Sequence, residues 1–454
     1  MMKARKRRIE YISFYNHTGL EKHFSRMAKK GWLIEKISNL YWTYKRIEPA
    51  DIHFCVTYYP RASEFDPEPS DAQQTFHDFC AYTGWKLACT WHQMQVFYNE
   101  KATPIPLETD PVLEVETLHK ACKKNFLPSY FILLALSLIM GSSFITRIFS
   151  DPIGLLSSAS DLLSVFSYVC MSIICLVELS AYFLWYSKAK RASADGIFVD
   201  TPSTNGIHAA IVMLYLIPLV GWILNGLFAG DSVFLWVIIL SFVFIFALFG
   251  IVSSVKEGLK RIYASRGMNK VLTFLACFVV FFALTGIVVS LTQFISHSGL
   301  MESQVSTYDY TPLALDDLID VNPDDYIQRC QSSETMLLGH ADVQQYPIYD
   351  NGKPPVMPDL LYSITVIKAP ALYDFCKKQL FHTVVEGDNG KYLLEYRAVD
   401  AAPWGAREAY RQLAENGTEK NSYLLFYEDR FLLIHLDWEP TLEQMAIINQ
   451  KLNP

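Results

Sequence analysis

Two pairs of metal-type ligands stand close together in the first hundred residues, His77-x-x-Cys80 and Cys89-x-x-His92. Imidazole nitrogen and thiolate sulfur at short spacing are the ligands of tetrahedral zinc, so the four make a candidate zinc site. His77 and Cys80 lie three apart on a predicted helix and share a face. Cys89 and His92, three apart on a predicted strand, point to opposite faces unless the chain turns at Trp91-His92. The competing reading is that Cys80 and Cys89 are reduced core thiols, since free cysteine is often buried.

A second candidate is Glu178, in the apolar run ICLVELSAYFLWY. An acid inside such a run is costly and is by default a functional candidate. It could bind a cation, relay a proton or hydrogen-bond to Asn225 on a neighbouring apolar run. The plainer readings are a protonated packing residue, or a side chain reaching an interface ~12 Å along its helix.

Cys330 and Cys376 are the last two of nine cysteines, and a disulfide between them is a candidate if their region lies outside the cell. Five aspartates in DDLIDVNPDDY (316–326) offer the oxygen ligands that calcium prefers, but without the spacing of a calcium loop they read as a solvated acidic surface. No Gly-x-Ser-x-Gly, His-Glu-x-x-His or phosphate-loop pattern occurs. An enzyme is therefore the less favoured class, and no cofactor is expected beyond the candidate zinc ion.

The elements that must position these residues fall into three segments of different composition. Residues 1–125 carry a net charge of +3, residues 126–298 carry +2 from few charges, and residues 299–454 carry −12. The expected domains are 1–120, 126–298 and 299–454. The middle segment contains apolar stretches at 126–148, 162–186, 208–228, 233–254 and 271–295. Each approaches or exceeds the roughly 20 residues needed to cross a bilayer, so five transmembrane helices are expected.

Basic residues flank these stretches unevenly. Lys120, Lys123 and Lys124, the 188–191 cluster, and Lys256 through Lys270 fall on one side, against Arg147 alone in the loops of the other. The positive-inside rule then places the N-terminus in the cytoplasm and residues 299–454 outside. The start, MMKARKRRIEYISFY, has a basic run but no apolar core behind it, so no cleavable signal peptide is expected. Its cluster reads either as a solvated tail or as a contact with anionic lipid.

In the first segment, TGLEKHFSRMAKKG (18–31) has helical periodicity and stops at Gly31, with Trp32 opening a strand-like stretch. SDAQQTFHDFCAYTG (70–84) repeats this, from a Ser70 N-cap to Gly84 and Trp85. Glycine suits the left-handed position that ends a helix. Gly31-Trp32 and Gly84-Trp85 thus read as the same helix-to-strand corner used twice. With strands expected at 8–14, 32–47, 52–59 and 85–100, the last as one bent strand or a hairpin, the order is β-α-β-β-α-β, a ferredoxin-like α+β sandwich. Aromatics on those strands (Tyr41, Trp42, Tyr44, Phe54, Tyr58, Tyr59, Phe97, Tyr98) resemble a base-stacking sheet, but no RNP-type run accompanies them. Core or protein interface is the stronger reading, and direct nucleic-acid binding is not expected.

The stretch YISFYNHTGLEKHFSRMAKKGWLIEKI, followed by an aromatic hairpin and several apolar spans, resembles an uncharacterised family of bacterial multi-pass membrane proteins. The resemblance covers roughly residues 9–125 well and the spans loosely. Their cytoplasmic N-terminal module is known only as a domain of unknown function. They are often encoded beside PadR-type transcriptional regulators, which implies a regulatory role and a possible protein partner, but the family supplies no catalytic residues.

The last segment reads as α+β. Strands are expected in DLLYSITVIKA and KYLLEYRAV, helices in PALYDFCKKQLFH and TLEQMAIINQKL, and a hairpin in SYLLFYEDRFLLIHLDW turning at Glu428-Asp429. AAPWGAREAYRQL is expected to be a loop leading into a further helix. The whole is expected to be a bacterial cell-membrane protein that couples an exterior domain to a cytoplasmic, protein-binding one as a regulator or sensor. The alternative is a transporter, or a subunit of one, that uses Glu178 within the membrane.

Overall fold

The computed structural model describes residues 5–38, 41–228, 232–297, 313–347, 358–382, 384–387, 390–414 and 416–453. They form two compact units, residues 1–139 with 167–290 and residues 140–166 with 291–454.

The first unit opens with β1 (Arg5–Arg8), α1 (His17–Lys29), β2 (Trp32–Lys36) and β3 (Trp42–Arg46). The same order returns as β4 (His53–Tyr58), α2 (Asp71–Tyr82), β5 (Lys86–Trp91) and β6 (Met94–Asn99). Each set makes a three-stranded antiparallel sheet, in the orders β1-β3-β2 and β4-β6-β5. The repeated Gly-Trp is therefore the corner of a repeated β-α-β-β half. Gly31 and Gly84 hold φ of 78° and 93°, a region nearly free of strain only without a Cβ. Asn16 and Ser70 cap the two helices by accepting from the amides of Gly19 and Gln73.

This revises the expected ferredoxin-like strand order. The 16-residue stretches 32–47 and 85–100 are both hairpins, and the first strand is Arg5–Arg8 rather than 8–14. Fully extended, 16 residues would span ~53 Å, far beyond the usual strand of five or six. Each stretch doubles back instead, the second through His92, whose φ is 52°. Two small sheets replace the single four-stranded one. Of the aromatics that resembled a stacking platform, Trp42, Tyr44, Phe54, Tyr58 and Phe97 are buried in the core, while Tyr41, Tyr59 and Tyr98 are half-buried.

From the capping Asp110, α3 (Pro111–Lys124) leads into α4 (Phe126–Ser150). A short helix, α5 (Pro152–Ser157), joins α4 to α6 (Ala159–Ala194), and α7 (Asn205–Phe228), α8 (Ser232–Arg261) and α9 (Arg266–His297) follow. Five of these, α4 and α6 through α9, are long and apolar enough to cross a bilayer. Their large apolar side chains face outward, with Phe242, Phe246, Phe278 and Phe282 all exposed. A water-soluble domain rarely leaves so large an apolar surface uncovered, whereas lipid is the natural solvent for it. The chain is a multi-pass membrane protein.

At 36 residues α6 runs ~54 Å, against a hydrocarbon core of ~30 Å. Its last turns join the N-terminal domain. Tyr182, Trp185 and Ala189, with Phe126 and Leu127 of α4, are buried in one core with Tyr15, Phe24, Leu33 and Tyr44.

In the second unit the chain continues as β7 (Tyr326–Glu334), β8 (Leu338–Pro347), β9 (Leu360–Ile367) and α10 (Tyr373–Leu380). The hairpin β10 (Val384–Gly387) and β11 (Gly390–Leu393) precedes β12 (Glu395–Val399), β13 (Glu408–Leu413), β14 (Glu419–Phe426), β15 (Arg430–Leu436) and α11 (Leu442–Leu452). Seven strands form one antiparallel sheet in the order β12-β13-β14-β15-β9-β8-β7. Ile448 and Leu452 of α11 bury against Leu360, Tyr362 and Leu432. A separate core joins Cys376 of α10, Ile153 and Leu156 of α5, and Leu424, Phe426 and Phe431. Leu162, in the first turn of α6, packs against that second core.

The expected strand at β9, hairpin at β14–β15 and capped helix α11 all appear, with Thr441 and Gln444 forming the capping box. The helix expected after Trp404 does not. Gly405 turns the chain at φ 57° and residues 408–413 become β13, held by strands on both sides. Pairing along two edges outweighs the local helix propensity of REAYRQL. The long hairpin β7–β8 was not foreseen, because QRCQSSE is polar and carries no strand signal.

Candidate functional site

Glu178 is the best-defined candidate, and its surroundings are set by a meeting of elements. Tyr11 and Ser13 lie two apart on the non-helical run after β1, and both reach the membrane helices. The Tyr11 hydroxyl is 2.6 Å from that of Tyr130 on α4. Ser13 donates to Glu178 Oε1 at 2.5 Å. Thr204, just before α7, donates to the same oxygen at 2.6 Å, and His208 Nε2 lies 3.4 Å away. Ser13 and Thr204 are also within hydrogen-bond reach of each other, at 3.1 Å. Glu178 is 0% exposed. Its described partners are thus two hydroxyls and an imidazole at the junction with the N-terminal domain. The Asn225 side chain, once paired with it in expectation, lies outside the described residues.

The α6–α7 loop extends this junction. Thr201 donates to Asn16 Oδ1 at 2.8 Å, and its own amide donates to Thr18 at 3.0 Å. A second attachment lies at the α8–α9 corner. Arg266 grips both oxygens of Asp66, at 2.6 and 2.7 Å, and donates to the Arg61 carbonyl. Lys256 pairs with Glu64 at 2.8 Å, and the fully buried Asn269 donates to the Phe65 carbonyl. Burial opposes the Glu64 charge, yet Lys256 and His92 hold its pKa below the ordinary carboxylate value.

Inside the N-terminal domain, His17 Nε2 lies 2.6 Å from Glu114. Burial works against the His17 cation, but Glu114, with Glu21 and Glu108 behind it, raises its pKa overall. Burial pushes Glu21 up to about 7. It also raises Glu108, which accepts from Thr57. Glu21 accepts from the Val56 amide at 2.8 Å, tying α1 to β4.

The four candidate zinc ligands do not converge. His77 bonds Gln95 at 2.6 Å, and Cys80 packs with Trp85 and Phe97. Cys89 lies in the other core, with Val96 and Met94, because adjacent β6 residues face opposite sides of the sheet. His92 sits in the hairpin turn, 3.8 Å from Glu64. Burial raises the thiol of Cys80 to about 11 and that of Cys89 to about 12, away from the thiolate that metal requires. Among the described residues no group of three or more His, Cys, Asp or Glu is placed to hold a metal ion.

Cys330 and Cys376 are not joined either. Cys376 lies in the core that includes α10 and α5, and Cys330 packs against the other. In the acidic run, Asp316 accepts from the Tyr326 hydroxyl and Asp317 pairs with Lys451, so these aspartates serve a turn.

Sequence reasoning found Glu178 but missed Ser13, Thr204 and His208, which belong to no motif. Residues 16–131 match the family described as "Protein of unknown function (DUF2812)". No curated protein and no solved structure matches the chain. The matched stretch begins at the α1 cap, includes both helix-to-strand corners and ends in α4, so it takes in the N-terminal domain from α1 onward, without β1, Tyr11 and Ser13, and the start of the first span.

Proposed function

We propose that the protein is a membrane-bound regulator or sensor, with residues 1–125 in the cytoplasm and an acidic α+β domain outside, in a bacterial cell membrane. One observation carries the reading: α6 is anchored at each end in a different folded core. Leu162 packs with the C-terminal domain, and Leu179, Tyr182, Trp185 and Ala189 are buried with the N-terminal domain. A ligand that binds one conformation of the outer domain better than another would bias α6, and the cytoplasmic core would feel the change. The skewed basic flanks support the orientation.

The partner on the inner side would be a soluble protein. The PadR-type regulator that the family resemblance implies is the first to look for. A photo-crosslinking residue at Tyr82, 92% exposed on α2 beside exposed Phe79, tests this in the native host. A crosslink to one soluble protein supports the reading; crosslinks to membrane subunits alone, or none, count against it.

The transport reading keeps one supporting observation, since Glu178 Oε2 is buried without a hydrogen-bond partner among the described residues. In that reading Glu178→Gln abolishes flux while the protein still accumulates in the membrane.

A further inference from the structure

The hydrogen bonds of Glu178 leave its charge unbalanced. Glu178 Oε1, Ser13 Oγ and Thr204 Oγ1 form a triangle with sides of 2.5, 2.6 and 3.1 Å. Each hydroxyl has a single hydrogen, and both hydrogens are directed at Oε1. The 3.1 Å side therefore holds none, and the two hydroxyl oxygens face each other with lone pairs alone. Hydroxyl bonds of about 2.5–2.7 Å are those made to an ionised acceptor, so this geometry belongs to the carboxylate.

A carboxylate that is 0% exposed needs an opposite charge close by. Hydroxyl dipoles solvate it but cancel none of its charge. Among the described residues no lysine or arginine pairs with it, and only His208 lies within ion-pair reach, at 3.4 Å. His208 Nε2 is not aligned for a hydrogen bond there and is buried without one. An imidazolium in that position would leave its N–H unused.

Unused polar atoms collect at this junction. Eight buried side-chain atoms lack a hydrogen-bond partner among the described residues, and four of them are Glu178 Oε2, the Tyr15 hydroxyl, Asn205 Oδ1 and His208 Nε2. Three of the four are oxygens. Tyr15 is 0% exposed, and its phenol pKa is raised first by burial and then by the Glu178 charge, so the two groups are close enough to interact.

Oxygen donors suit a hard cation. One carboxylate balances one positive charge, whereas a divalent ion would leave an excess charge buried. We propose that this junction binds a single dehydrated alkali-metal cation, sodium or potassium, through Glu178 Oε2 and the hydroxyl oxygens of Tyr15, Ser13 and Thr204. The ion ties the run before α1 to α6 and to the start of α7, so the hold of the N-terminal domain on the spans depends on which salt is present. The site follows from charge balance and stands whether the protein signals or transports.

The test is limited proteolysis of residues 1–125 in the full-length protein, held in phosphatidylcholine nanodiscs. Choline chloride is exchanged for sodium or potassium chloride at constant ionic strength. Cleavage should be fast in choline and slow saturably with the alkali ion, by up to roughly a hundredfold at about a hundred times the half-saturating concentration. The ion that acts at the lower concentration is the occupant. Glu178→Gln keeps an oxygen without the charge and needs no ion, so its cleavage should be slow in all three salts. Tyr15→Phe removes one ligand and should raise the half-saturating concentration roughly tenfold. Equal cleavage of the original protein in choline and in both alkali salts overturns the proposal. So does an alkali-ion response that survives Glu178→Gln. A His208→Asn variant that keeps its helical circular dichroism yet is cleaved fast in every salt also overturns it, because imidazolium would then be the counter-charge.

Discussion

Glu178 has the environment of a structural acceptor as much as of a reactive acid. Two hydroxyls share its Oε1, and both would lose their acceptor if it were truncated. Glu178→Ala should therefore cost about 2–3 kcal/mol and loosen the N-terminal domain. Faster limited proteolysis of residues 1–125, with the C-terminal domain unaffected, is the expected readout. Glu178→Gln keeps an oxygen at the same place and should leave proteolysis near the original rate.

Glu21 supports a prediction with a definite sign. Burial raises its pKa from 4.5 to about 7, so the folded chain holds that proton more tightly than the unfolded one. Its stabilising contribution is complete below about 4.5 and is lost as pH rises through about 7. His17 and Glu108 are also shifted upward, and so slope the same way. The melting temperature of the N-terminal domain should fall as pH climbs from about 5 to about 8, and Glu21→Gln should flatten the lower half of that slope. A rising melting temperature over that range would contradict this account of the cluster.

At the scale of elements, the two Gly-Trp corners look equivalent in sequence but differ in space. A Cβ at Gly31 would lie 2.9 Å from the Ile47 carbonyl oxygen, which is backbone and cannot easily give way. At Gly84 the nearest atom is Lys101 Nζ at 3.3 Å, the end of a flexible side chain. Both positions carry the cost of a left-handed non-glycine residue, ~1–2 kcal/mol. Gly31→Ala should exceed Gly84→Ala in lost stability by about 1 kcal/mol or more, measured by chemical unfolding of the two variants side by side. Equal losses would mean that the first corner relaxes as readily as the second.

For the whole molecule, the arrangement rests on which side of the membrane each end occupies. A periplasm-active enzyme fused after residue 454 should be active, and the same enzyme fused within the α6–α7 loop, near Asp195, should be silent. The opposite pattern would reverse the orientation and leave the sensor reading without its outer domain.

The sequence by itself determined the features that depend on local chemistry. Five apolar runs of bilayer length can be read from composition, because lipid demands continuous apolar surface and internally satisfied backbone. Helix stops at Gly31 and Gly84 and the Thr441–Gln444 cap were legible because a glycine in a left-handed turn, or a hydroxyl over bare amides, acts within a few residues. Glu178 stood out because an acid in an apolar run is rare. Only the tertiary structure decided the rest. It supplied Glu178 with Ser13, 165 residues away, and put Cys80 and Cys89 on opposite sides of one sheet. It also turned REAYRQL from helix to strand and set two basic side chains, Lys6 and Arg46, against the one indole of Trp32. These outcomes depend on contacts between residues far apart in the chain, where a hydroxyl, a thiol or a lysine gives no sign beforehand of what will pack against it.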